Sequence, residues 1–158
     1  MGCHSFGSFD LQMRNTMLTH ISLNVVAPAS VPENPIQTEF IRHSVDIYKN
    51  FIRTFLPEAK IYHHTPEIST FENGLYILEI ASPDCKKGAA AVFTLPDSKQ
   101  KNVAVFPKGI NAGLNYKITL DNSRATYYAK GNELLLNGIP VSISSSLSSE
   151  LILFEAAE

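Results

Sequence analysis

Three runs near the C-terminus, YKITL (116–120), ELLLNG (133–138) and ELILFE (150–155), decide the reading of the fold, and each has the look of a strand. In the first, Tyr116, Ile118 and Leu120 alternate with Lys117 and Thr119, the period of two expected when one face of a strand is covered. Asp121-Asn122-Ser123 stops that run. Ala125 to Ala129 supplies a further strand, Lys130-Gly131-Asn132 a turn, and Asn137-Gly138 a second turn before the alternation Ile139, Val141, Ile143. The serine-rich stretch 144–149 reads as a loop, and Leu151, Leu153 and Phe154 end the chain in β-structure.

Working back from this tail, strands are expected at 75–80, 89–95 and 103–106, with turn residues at Gly74, Pro83 and Gly109. The small residues of the second suit a site where another layer comes close. The total is about seven or eight short strands, the complement of an antiparallel β-sandwich. The first part of the chain differs. Asn34-Pro35 opens a helix, with Asn at the cap, Pro in the first turn and Gln37 three residues after the cap. Phe40, Ser44, Ile47, Tyr48, Phe51, Ile52 and Phe55 form one apolar face, and Pro57 is the expected stop, so the helix spans about 34–56. Upstream, the run 18–26 fits a strand or the end of a helix begun near Leu11, and the prolines at 28 and 32 break it. Residues 1–72 thus offer one long amphipathic helix and at most one strand, too little to cover its stripe. Either the sandwich covers it or a further domain does, and an uncovered stripe would favour a homo-oligomer.

Composition excludes several classes. The formal net charge is −2 and the 13 Lys and Arg residues are scattered, which gives no footprint for nucleic acid and no polybasic patch for a membrane. Cys3 and Cys85 allow one long-range disulfide or two thiols, so the compartment stays open. The start MGCHSF has Phe6 where myristoylation wants Ser or Thr.

The chemistry-bearing residues are sparse. His63, His64 and Glu67 give H-H-x-x-E, but Pro66 denies them the helix that zinc motifs need, so no metal is expected. No pair of acids stands out for glycosidic chemistry, and no nucleophile triad or phosphate loop is present, so neither catalytic residues nor a cofactor are expected in this chain. There is no Trp for a sugar platform, and Tyr62, Tyr127 and Tyr128 read as core or interface residues.

The order of parts resembles the end of glycoside hydrolase family 36, the α-galactosidase (melibiase) group. The resemblance rests on Gly2-Cys3-His4 as G-x-H, Arg14 in a Met- and Leu-rich run, I-Y-K-x-x-I-R at 47–53, Y-K-I-T-L, G-N-E-L-L-L-N-G-I-P-V-S-I at 131–143 and S-S-E-L-I-L-F-E at 148–155. It implies that residues 1–72 are the C-terminal remnant of a catalytic (β/α)8 barrel and residues 73–158 an antiparallel β-sandwich. It also implies that His4 and Arg14 lie near the sugar, and that both catalytic aspartates of the family belong to earlier barrel strands outside this chain. Carbohydrate is then the expected partner of the parent enzyme. The rival from another class is a free-standing β-sandwich carbohydrate-binding or adhesion module.

Overall fold

The structure, a computed structural model, describes residues 9–18, 34–65, 74–96, 98, 102–143 and 146–157. In chain order its elements are helices α1 (Phe9–Met17) and α2 (Pro35–Asn50), two 3-10 turns (Ile52–Thr54 and Leu56–Glu58), and strands β1 (Lys60–His63), β2 (Leu75–Ala81), β3 (Lys87–Thr94), β4 (Asn102–Val105), β5 (Asn115–Leu120) and β6 (Ala125–Lys130). Helix α3 (Gly131–Asn137) and strands β7 (Ile139–Ser142) and β8 (Ser149–Ala157) follow. Six strands form an antiparallel sheet in the order β1-β2-β3-β8-β5-β6, and β4 pairs with β7 in a two-stranded sheet. The mainly β reading holds. The expected run 18–26 lies outside the described residues, apart from Leu18.

The last strand in sequence is central in space. β8 lies between β3 and β5, with Leu151 opposite Ala91 and Phe154 opposite Ile118. Apolar layers cover both faces of β2, β3 and β8, which is why LYILEIA and GAAAVF read as nearly unbroken apolar runs. On one face, Ile77, Ala90, Val92, Tyr116, Ile118, Ile152 and Phe154 pack against Val105, Ile110, Leu134, Ile139 and Val141. On the other, Leu78, Ile80, Ala89, Ala91, Phe93 and Leu151 meet Met17, Leu18, Ile52 and Phe55 of the helical layer. The alanines of β3 let that layer approach closely. β1 precedes residue 73 yet pairs with β2, Ile61 opposite Ile80, so the sheet borrows its edge strand from the N-terminal part.

Two expectations need correction. ELLLNG is helical: it contributes residues 133–137 of α3 and the cap that ends it. Glu133 accepts the Lys130 backbone N–H at 3.3 Å, and Gly138, at φ +73, donates its N–H to the Leu134 carbonyl and closes the helix. The Asn-Gly pair is therefore a helix stop, and the three leucines bury only Leu134 while Leu136 stays 78% exposed. The second correction concerns α2. Asn34 caps it as expected, accepting from Ile36 at 3.1 Å and Gln37 at 3.3 Å, but the α-helix ends at Asn50. Phe51 leaves helical geometry at φ −122, and Pro57 falls inside the second 3-10 turn. That break points Ile52 and Phe55 onto the sheet, while Phe40, Ile47, Tyr48 and Phe51 are half-buried and Ile36 is 82% exposed.

The buried end of the stripe should hold the two layers together. Phe55→Ala is expected to cost about 3–5 kcal/mol, and Ile36→Ala to stay within about 0.5 kcal/mol, in urea unfolding at unchanged m-value. Equal effects at both positions would mean that the helix does not dock as described.

Candidate functional site

The strongest concentration of polar chemistry sits where the helical layer meets the open end of the sheet. α1 turns Arg14 inward until it is 1% exposed. A guanidinium so placed needs a partner for its charge and acceptors for its N–H groups. Its Nη1 donates to the Ser149 carbonyl at 2.7 Å and the Ser149 hydroxyl at 3.2 Å. Nη2 donates to Asp121 Oδ2 at 2.7 Å and Asn122 Oδ1 at 2.6 Å. Asp10, one turn earlier on α1, accepts from the Ser149 backbone N–H at 2.9 Å and from its hydroxyl at 2.8 Å. Nε alone is buried without an acceptor.

Asp121, 6% exposed, follows β5 directly and is the hub. Its backbone N–H donates to the Leu151 carbonyl at 2.9 Å, which carries the sheet pairing into the turn. Its second oxygen, Oδ1, lies 2.6 Å from His43 Nε2 on α2 and 3.7 Å from Arg124. Burial works against its charge, but the hydrogen bonds from His43 and Arg14 and the adjacent guanidinium outweigh that and hold its pKa below the usual carboxylate range. Glu150 beside it goes the other way. Burial raises its pKa, and the N–H groups of Asn122 at 2.9 Å and Leu151 at 2.8 Å only partly compensate. A groove of about 450 Å³ adjoins the cluster, lined by Pro35, Ile36, Glu39, Phe40, His43 and Arg124.

A second polar cluster lies across the sheet. Glu79 is completely buried in β2 and accepts N–H groups from Lys108 at 3.0 Å and Gly109 at 2.6 Å, with His64 Nε2 at 2.6 Å. A Cβ at Gly109 would fall 2.2 Å from Ala81 Cβ, so only glycine brings that backbone close enough. His64 is thus a carboxylate partner. Glu67 lies outside the described residues, and among those described no three ligating side chains gather around a point. Tyr62 stands on edge strand β1, at the opposite end of the sheet from Tyr127 and the exposed Tyr128 on β6, so the three form no shared platform. Cys85 is a half-buried thiol; Cys3 and His4 lie outside the described residues.

Of the two residues expected near a sugar, Arg14 faces the sandwich and its terminal nitrogens are occupied within this chain. Asp121, Glu150 and Glu79 are all buried among hydrogen-bond donors, so none of the three lies open to a substrate. Sequence reasoning passed over these acids. The usable signal was Glu79 within LYILEIA, since a charge on a strand covered on both faces must be paired.

No model of a protein family matches the sequence, and no curated protein matches it. Solved structures do match. The α-galactosidase AgaA of Geobacillus stearothermophilus, a GH36 enzyme, superposes with a TM-score of 0.73 at 18% identity, over 99% of this chain and 20% of its own. The fold is that of a GH36 α-galactosidase segment. An AgaA variant in complex with stachyose matches over the same shares with a TM-score of 0.71 at 17% identity. The α-galactosidase of Lactobacillus brevis matches with a TM-score of 0.62 at 20% identity, over 80% of this chain and 17% of its own. The chain therefore spans about a fifth of the length of the GH36 structures it resembles. The likeness lies in architecture, as the resemblance in motifs implied.

The hub makes two predictions. Arg14→Ala leaves Asp121 buried without its main cation and should cost about 3–5 kcal/mol in denaturant unfolding. A loss below about 1 kcal/mol would remove Arg14 from its role as a fastener. The second concerns pH. The lowered pKa of Asp121 means that its ionised form adds stability that is complete above the unfolded value of about 3.9 and is lost as pH falls through the native value. The raised pKa of Glu150 favours its protonated form in the fold, a contribution lost as pH rises from about 4.3 through the native value. Unfolding free energies measured across pH should therefore show Asp121→Asn flattening the acid limb and Glu150→Gln flattening the decline above it. Parallel profiles for parent and variants would refute the assignment.

Proposed function

We propose that this chain is the C-terminal portion of an α-galactosidase-like retaining glycoside hydrolase. In this reading residues 1–72, with α1 and α2, are the closing part of the catalytic barrel and residues 73–158 the accessory sandwich, whose sheet takes its edge strand β1 from the first part. The observation that carries it is the match of 99% of the chain to one fifth of a GH36 α-galactosidase. In the parent enzyme, one aspartate outside this chain attacks the anomeric carbon of a terminal α-galactoside, and a second protonates the leaving oxygen and then activates water. The polar hub supports a structural role for the portion described: Arg14 and His43 tie the barrel's last helices to Asp121 and fix their placement. Arg14 then acts through position, and His4, ahead of α1, is the residue assigned to the sugar side.

A second reading, a free-standing carbohydrate-binding or adhesion module, draws support from the burial of Ile52 and Phe55 on the sheet within the chain itself. The two readings differ in what purified protein does. The 158-residue chain should neither hydrolyse p-nitrophenyl α-galactoside nor bind galactosides calorimetrically, whereas the product of the reading frame extended upstream through the barrel should turn the substrate over. Turnover by the short chain that survives repurification, or an extended product without α-galactosidase activity, would overturn the enzyme reading. Tight galactoside binding by the short chain would favour the module.

A further inference from the structure

The two ends of the large sheet are finished differently. A strand at a sheet edge carries unpaired backbone N–H and C=O groups, and folds ordinarily blunt such edges with charge, proline, bulges or shortness. β1 follows that rule: it has four residues, begins at Lys60, and the Lys108 Nζ donates to its His63 carbonyl at 3.2 Å. β6 does not. Its six residues pair with β5 in unbroken register, from Lys130 opposite Asn115 to Ala125 opposite Leu120, and among the described residues no strand lies on its other side. Residues 125–129, ATYYA, hold neither a charge nor a proline, and Ala125, Thr126 and Tyr128 are exposed, the last to 68%. The edge is also well supported, because β5 pairs directly with β8 in the middle of the sheet and the Thr119 and Thr126 hydroxyls meet at 3.3 Å.

We propose that the open edge of β6 receives an extended segment of a partner polypeptide, added as a further antiparallel strand, with an acidic residue at each end and β-branched or aromatic residues between. The backbone groups of 125–130 supply the pairing, and the two faces of the strand select side chains. On one face Tyr128 stands beside Lys117 as a cross-strand neighbour; on the other, Tyr127 and Ala129 extend the apolar core. Charge decides the occupant. Arg124, whose side chain is 63% exposed, stands just before the strand, and exposed Lys130 ends it. The acids nearby are already engaged. Asp121 is buried and shared among Arg14, His43 and, at 3.7 Å, Arg124; Glu133 accepts the Lys130 backbone N–H; and Glu155 pairs with Lys117 at 3.2 Å. A second copy of β6 would set Arg124 against Lys130 in antiparallel pairing and each cation against itself in parallel pairing, so like charges would meet at both ends. An acid-ended strand meets opposite charges at both. The helical layer approaches the sheet over the faces of β2, β3 and β8, which leaves this edge to a separate chain. Nothing in this surface requires the glycosidase reading.

The test uses a short end-blocked peptide in which Val and Thr alternate between a Glu at each end, titrated into the full 158-residue chain and followed by amide NMR. Shifts should concentrate on residues 125–130, and the amides there should exchange more slowly with solvent. N-methylation of the peptide on its pairing side should abolish binding, and exchanging its terminal Glu residues for Lys should weaken it about threefold or more. Lys130→Glu, a change at an exposed site, should erase that preference, since the edge then carries one charge of each sign. No binding, binding that survives N-methylation, equal binding by the Glu- and Lys-ended peptides, or shifts outside β6 would overturn the proposal. So would dimers in sedimentation velocity whose formation protects the same amides, because the edge would then belong to a second copy.

Discussion

A guanidinium with almost no solvent contact constrains this structure more than any other single group. Arg14 cannot be buried unless acceptors come to it, and those available belong to the turn after β5 and to the first residue of β8. Because β8 is one of the two central strands of the large sheet, the contact fixes α1 against the middle of the sheet and not against its edge. His43 adds α2 to the same carboxylate. Charge-assisted bonds at 2.6–2.7 Å from two helices to one side chain define an angle as well as a distance, which apolar packing alone does poorly.

The apolar chemistry beneath the hub is less directional but supplies more of the cohesion. Ile52 and Phe55 bury against small and branched side chains of β2, β3 and β8, at about 1.5–3 kcal/mol for each large apolar side chain covered. On the opposite face, Glu79 secures the backbone at Lys108 and Gly109, and His64 draws the end of the edge strand onto the same carboxylate. The sheet is thus clamped on both faces by a buried acid. The two clamps differ in kind: Asp121 gathers side-chain groups from two helices, and Glu79 gathers backbone N–H groups beside one histidine.

This division of labour fits a segment whose likeness to GH36 α-galactosidases is architectural at 17–20% identity. Interior volume and a few buried polar contacts constrain a fold more than they constrain most individual residues, so superposition survives where sequence matching does not. Among the described residues, Asp121 ties two helices to the sheet, and Glu79 ties the backbone at 108–109 and the end of the edge strand to it.

Much of the architecture was legible in the residues themselves. The alternation of Tyr116, Ile118 and Leu120, the Asn34-Pro35 cap and the apolar stripe from Phe40 to Phe55 are local signals, because each depends on neighbours within a few positions. The reading failed where local signals compete. In 131–138, three leucines between two glycines suit a buried strand or a short helix equally. The choice fell to the Glu133 bond back to Lys130 and to the positive φ of Gly138, both parts of a helical cap. Likewise Phe51 broke α2 six residues before its proline, where docking Ile52 on the sheet outweighed one more turn of helix. The sequence by itself determined the strands from β2 onward, the Asn34 cap and the amphipathic face, since these follow from backbone geometry and side-chain period. Only the tertiary structure decided that β8 lies at the centre, that Arg14 meets Asp121 across 107 residues, and that His43 shares that carboxylate. Those outcomes arise from long-range pairing of buried charges, and a buried charge selects its partner by position in space, which no spacing along the chain encodes.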